Sequence, residues 1–141
     1  MTTHAIAEVL GGQTILKRRV STTGQLVELT REGLPADALT ALAADLDLPR
    51  TEVARILGIA PRTLSRRATR LTAEESDRAV RMARVFAMAK DVLGSKQKAA
   101  SWLQTPNRAL DAETPLHRLD TSTGAHTIEE LLGRIAYGVY S

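Results

Sequence analysis

From Pro35 almost to its C-terminus the chain reads as a run of helices, cut only by prolines, glycines and one loop. The strongest signal lies between Thr72 and Gly94. Thr72 followed by Glu75 forms a capping box, in which the hydroxyl accepts from the amide three residues on and the carboxylate returns to the cap's own amide. It opens a helix predicted over Ala73–Leu93, and Gly94 supplies the stop. Ala79, Met82, Ala83, Phe86, Ala89 and Leu93 make its apolar side, with Arg78, Arg81 and Arg84 on the other. The chain divides naturally near Gly94, into a basic N-terminal lobe and a neutral C-terminal one.

Shorter elements flank this helix. In PADALTALAADLDL, Leu39, Leu42, Ala43 and Leu46 share one face at helical spacing, and Pro35 suits the first turn. Pro49 interrupts, a helix over Arg50–Leu57 ends at Gly58, and a second runs from Pro61 to about Arg70. Beyond Gly94, Lys96–Gln104 reads as a helix stopped at Pro106. Asn107–Ala125 reads as a loop with a turn of helix at Pro115–Leu119. A last helix is predicted over Thr127–Tyr140, with Thr127 and Glu130 as a second capping box. Residues 1–33 are the least regular: Gly11, Gly12 and Gly24 break them, and Thr14–Val20 fits a short strand and a helix equally. The expected architecture is all-α: an N-terminal arm (1–33), a helix-turn-helix domain (34–94) and a small helical lobe (95–141).

Composition removes whole classes of function. The sequence has 141 residues, 43% apolar and 25% charged, which is ordinary for a folded protein of one domain or of two small lobes sharing a core. It has no cysteine, so disulfides, thiolate metal sites and cysteine nucleophiles are excluded. No apolar run reaches the roughly 20 residues needed to span a bilayer, and the first residues lack the basic flank of a signal peptide. A soluble, cytoplasmic protein with no membrane association, no metal and no cofactor is expected. Aromatic residues are only 3%, too few for a platform on which single-stranded bases stack.

Charge is unevenly placed. Residues 1–49 carry 4 basic and 6 acidic side chains, residues 50–84 carry 9 and 4, and residues 85–141 carry 6 and 6. Every basic residue of the central block is arginine, whose fork meets phosphates and guanine edges bidentately. That block contains TEVARILGIAPRTLSRR, which has the requirements of a helix-turn-helix. Ala54 is small enough for two helices to cross, Gly58 tolerates a positive φ in the turn, and Val53, Leu57, Ile59 and Leu64 are apolar pegs. The second helix would then present Arg62, Thr63, Ser65, Arg66 and Arg67, followed by Arg70. Arg62 and Thr63 are best placed for base edges or flanking phosphates, and Arg66, Arg67 and Arg70 for phosphates. A plain αα-hairpin with a solvated basic face is the blander alternative. A single unit makes few contacts, so specific recognition would need a dimer.

The C-terminal lobe carries no catalytic constellation. Trp102 and Leu103 fit a core anchor. Ile128, Leu131, Leu132, Ile135 and Val139 form an apolar stripe, with Tyr137 and Tyr140 on other faces. Gly133 and Gly138 each cost about 1 kcal/mol against alanine inside a helix. Beside tyrosines they suggest close approach by another molecule, although tyrosines capping the core at a frayed end fit equally. No glycine-rich phosphate loop occurs, and His4, His117 and His126 have the surroundings of surface or turn residues.

Three stretches, REGLPADALTALA, TLSRR with LTAEESDRAVRMARV, and WLQTPNRALDAETPLHRLDTSTGAHTIEELLGRIAYGVYS, together resemble the Xre/MbcA/ParS family of antitoxins. The resemblance runs from about Leu10 to Ser141, and the third stretch is the most specific. Leu93-Gly94 stands where an aromatic before the glycine is frequent, and Ala60-Pro61 replaces a commoner serine-type helix start. The resemblance implies a non-enzymatic protein with an Xre-like helix-turn-helix lobe and a toxin-binding lobe. It implies a cognate RES-domain toxin that consumes NAD or transfers ADP-ribose from it. The family's C-terminal end blocks the toxin's NAD site, which here would place Arg134, Tyr137, Gly138, Tyr140 and Ser141 at the toxin mouth. It further implies autorepression through operator double-stranded DNA, and a homodimer within a larger toxin–antitoxin complex. A helix-turn-helix regulator without a toxin, and an interaction module with a vestigial helix-turn-helix, are the competing readings.

Overall fold

The computed structural model describes residues 3–65 and 69–138, and all regular elements among them are helical. They are α1 (Thr3–Val9), α2 (Gly12–Leu16), α3 (Thr23–Glu32), α4 (Asp37–Leu46), α5 (Arg50–Ile56), α6 (Pro61–Ser65), α7 (Ala73–Leu93), α8 (Lys96–Leu103) and α9 (Ser122–Ala136). Two 3-10 turns, Arg108–Leu110 and Leu116–Asp120, lie between α8 and α9.

The predicted long helix forms α7 with its predicted ends. The Thr72 hydroxyl accepts from the Glu75 amide at 3.1 Å, the Glu75 carboxylate accepts from the Thr72 amide at 2.8 Å, and Gly94 caps the other end at φ +98°. At about 1.5 Å per residue its 21 residues span roughly 30 Å. Val80, Val85 and Ala87 are buried along with the predicted apolar side, so α7 is enclosed around most of its girth. It packs against α1, α3, α8, α9 and the second 3-10 turn. One continuous core therefore serves both ends of the chain, from Ile6 to Leu132.

The N-terminal segment, set apart as an arm by its irregular sequence, is helical and built into that core through Ile6, Val9, Leu10, Leu16, Leu26 and Leu29. α1 and α2 have 7 and 5 residues, too short for helical periodicity to register. Thr22 starts α3 with a full capping box onto Gln25. Gly33 ends it at φ +100°, and a Cβ there would lie 2.2 Å from the carbonyl oxygen of Leu71. This contact belongs to a short antiparallel pairing of residues 34–36 with 69–71. The Leu71 amide donates to Leu34 O at 2.8 Å and the Ala36 amide donates to Thr69 O at 2.9 Å. Beneath it the Ser76 hydroxyl, the one buried polar side chain among the described residues, accepts from the Leu34 amide at 2.8 Å.

Two helices differ in their bounds from the sequence reading, and the last one also ends earlier, at Ala136 rather than Tyr140. The helix after the turn is α6, Pro61–Ser65, and Arg70 is not on it: Arg70 lies in the extended pairing opposite Pro35. The last helix begins at Ser122 rather than Thr127. Thr121 is its cap, accepting from the Gly124 amide at 3.0 Å, while the Thr127 hydroxyl turns back onto Thr123 O at 3.1 Å. Gly124 resembles a breaker in sequence, but a Cβ there would lie 2.0 Å from the Arg118 carbonyl oxygen, so only glycine lets the helix start against the preceding turn.

Candidate functional site

The helix-turn-helix is built as its residues require. Ala54, Val53, Leu57, Ile59 and Leu64 are all buried. Gly58 occupies the turn at φ +70°, and the Ile59 amide donates to Ala54 O at 2.8 Å, closing it. Arg62 and Ser65 are exposed on α6 and Thr63 is half-buried. The Ser65 hydroxyl donates to Arg62 O at 2.9 Å, a local bond that leaves the Arg62 guanidinium without a partner among the described residues. Arg66 and Arg67 lie outside the described residues.

Two arginines that the sequence left on a solvated face hold this unit instead. Arg78 of α7 donates through Nε to Leu57 O at 2.7 Å, meeting the carbonyl at the end of α5 just before the turn. Arg50, at the start of α5, donates to Leu64 O at 3.2 Å and to the Thr40 hydroxyl at 3.4 Å. Periodicity fixes which face an arginine occupies and says nothing of the carbonyl that a long side chain reaches, so neither role was visible in sequence. Arg70 donates to Gly33 O at 2.7 Å and forms no ion pair among the described residues, although its charge reaches the Glu32 carboxylate.

The C-terminal surface is formed by the end of α9. Ile128 and Leu132 are buried and Leu131 is half-buried against the core, as the stripe predicts, while Val139 lies outside the described residues. Trp102 likewise packs against the core beside the buried Leu103. Past Leu132 the helix runs out of the core. Arg134 and Ala136 are exposed, and Tyr137 is 88% exposed. Tyr137 therefore does not cap its own hydrophobic interior. Gly138 follows at φ +70°, and a Cβ at either Gly133 or Gly138 would meet nothing within 4 Å among the described residues. Tyr140 and Ser141 lie outside the described residues.

The two surfaces are joined through α4 and α7. Gln104, at the end of α8, donates to Leu46 O at 2.7 Å, tying the C-terminal lobe to the end of α4. No helix among the described residues is long and apolar enough to cross a membrane, and no three of their His, Asp and Glu side chains come together as a metal site.

An all-helical helix-turn-helix unit fused through one long helix to a small lobe with a bare C-terminal end defines a class: a helix-turn-helix protein with an appended binding lobe. Comparison with known proteins makes it specific. Residues 25–84 match the antitoxin Xre-like helix-turn-helix domain, and residues 88–138 match the antitoxin Xre/MbcA/ParS C-terminal toxin-binding domain. Antitoxin Xre of Yersinia enterocolitica is 38% identical over 120 residues, covering 82% of this chain and 81% of its own. Antitoxin Xre of Photorhabdus laumondii is 38% identical over 117 residues, covering 80% and 79%. The fold is also similar to a chain in the M. tuberculosis MbcT–MbcA toxin–antitoxin complex, with a TM-score of 0.57 at 24% identity over 75% of this chain and 96% of that one. The chain belongs to the Xre/MbcA/ParS antitoxin family: it is the antitoxin of a toxin–antitoxin system, a toxin-binding protein and not an enzyme.

Proposed function

We propose that this antitoxin neutralises a RES-domain toxin, one that consumes NAD or transfers ADP-ribose from it, by placing its C-terminal end in the NAD cleft. The observation that carries the reading is Tyr137, 88% exposed at the end of an otherwise anchored helix. A large aromatic left in water is costly unless a partner covers it, and such residues are favoured where protein surfaces meet. Gly133 supports it. A glycine inside a helix costs about 1 kcal/mol against alanine, and no neighbour among the described residues requires one there. A bare backbone at that point suits close approach by the toxin. Arg134 offers a charged donor on the same end, and Tyr140 and Ser141 are assigned to the same contact.

The helix-turn-helix, paired as a homodimer, binds operator DNA and represses the antitoxin's own operon. Arg62, Thr63 and Ser65 meet base edges or nearby phosphates, and Arg66, Arg67 and Arg70 meet phosphates. The exposed Arg62, unpaired among the described residues, supports this assignment.

Deletion of Tyr137–Ser141 tests the occlusion mechanism. In cells co-expressing the neighbouring toxin, the truncated antitoxin should fail to protect, while its circular dichroism and unfolding transition match the full chain. Full protection by the truncated protein would refute occlusion by the C-terminal end.

A further inference from the structure

A cleft of about 560 Å³ opens beside α6, at the meeting of the α2 end, the α4 entry and the helix-turn-helix. Its lining brings Lys17, Arg50 and Arg70 together, with Ser65 of α6 on its wall and Asp37 as its one carboxylate. Arg50 and Arg70 are held by backbone carbonyls, at 3.2 Å to Leu64 and 2.7 Å to Gly33. A carbonyl fixes a guanidinium without neutralising it, so the cleft keeps an excess of positive charge.

Of the three cations that line the cleft, Lys17 is the one whose side chain no bond among the described residues holds. It caps α2 in the left-handed region at φ +63°, its amide donating to Gln13 O at 2.9 Å. That position favours glycine or asparagine, and a lysine there costs backbone energy. Its ammonium makes no hydrogen bond or ion pair among the described residues, whereas the adjacent Arg18 is paired with Glu32 at 2.5 Å. The capping geometry does not call for a lysine, and no carboxylate holds it.

We infer that Lys17 contacts a phosphodiester of double-stranded DNA, on a cationic cleft that extends the helix-turn-helix surface onto the N-terminal helices. The inference rests on the reading that α6 enters the groove, and deepens it. Leu64 and Ser65 of α6 line the cleft, so on that reading a duplex engaged by Arg62 would carry its backbone past it. Residues 25–84, which match the helix-turn-helix model, do not include Lys17.

The test uses the full chain and two duplexes of equal length, one from immediately upstream of the antitoxin gene and one unrelated, titrated by fluorescence anisotropy at several salt concentrations. Each phosphate contact contributes about 0.9 to the slope of log affinity against log salt. Lys17→Gln should weaken both duplexes alike and flatten the slope by about 1. Lys17→Gly, which also relieves the backbone, should do the same without losing stability. Lys98→Gln, exposed on α8, should match wild type, and toxin neutralisation should survive in all three. An unchanged slope in both Lys17 variants, with Arg62→Ala still weakening binding, would overturn the assignment of Lys17 alone. Absence of salt-dependent binding by the wild-type chain would overturn the groove reading, and Lys17 with it.

Discussion

Ser76→Ala probes the junction on which the helix-turn-helix is mounted. The Ser76 side chain is fully buried and its hydroxyl accepts from the Leu34 amide at 2.8 Å, across 42 residues of sequence. Leu34 is itself fully buried, so no water can replace the lost oxygen from outside. Removing it strands an amide donor, at a cost of about 1–3 kcal/mol. Alanine is the better helix former, and in the first turn of α7 it returns at most roughly 0.5 kcal/mol. The net loss is therefore roughly 0.5–2.5 kcal/mol, or about 2–10 °C in melting temperature for a chain of this size. Ser101→Ala supplies the comparison: Ser101 is exposed on α8, so only the helix-propensity gain applies and the variant should be slightly more stable. Urea unfolding at unchanged m-value measures both. Hydrogen exchange should show Leu34 losing more protection than its neighbours. If Ser76→Ala proves as stable as Ser101→Ala, the bond does not hold the junction, and α7 does not carry the helix-turn-helix through it.

Gly133→Ala should move stability and toxin binding in opposite directions. With open space where the Cβ would go, it should stabilise the free antitoxin by up to about 1 kcal/mol while weakening the toxin complex in calorimetric titration; unaltered affinity would remove the argument from close approach. The Arg18–Glu32 pair makes a pH prediction. The hydrogen bond and charge of Arg18 hold the Glu32 carboxyl below its ordinary value of 4.5. A depressed carboxyl pKa contributes stability above the unfolded value, and that contribution disappears as pH falls through the folded one. Glu32→Gln should therefore be less stable than wild type at neutral pH, by a small and salt-sensitive margin, and the two should converge in acid below about pH 4.5. A difference that persists in acid would show that Glu32 acts through packing rather than charge.

The parts of the fold legible in the sequence are those in which a residue's local chemistry decides its place. Thr72, Glu75 and Gly94 bound α7 because caps and stops act within a few residues of themselves. Ala54, Gly58 and Leu64 specify the helix-turn-helix because their constraints are equally short-range. What escaped was set by atoms distant in the chain. Gly124 reads as a breaker until the Arg118 carbonyl is placed against it. In sequence Arg50, Arg78 and Gln104 have no structural role, and Arg70 only a phosphate contact, until each is seen to donate to a carbonyl contributed by a different segment of the chain. The same distinction governs the functional surfaces. Among the described residues nothing constrains Gly133 or covers Tyr137, so helix propensity suggested a close approach there but left a frayed, core-capping end equally open. Only resemblance could assign them a partner in advance. The structure adds the reason a partner is needed: α9 is anchored by Ile128 and Leu132 and then carries its aromatic end away from the core. Because α9 packs on α7, and Arg78 of α7 donates to Leu57 O at the end of α5, the surface proposed for DNA and the one proposed for toxin are both tied to one buried helix, which bears a change at either end.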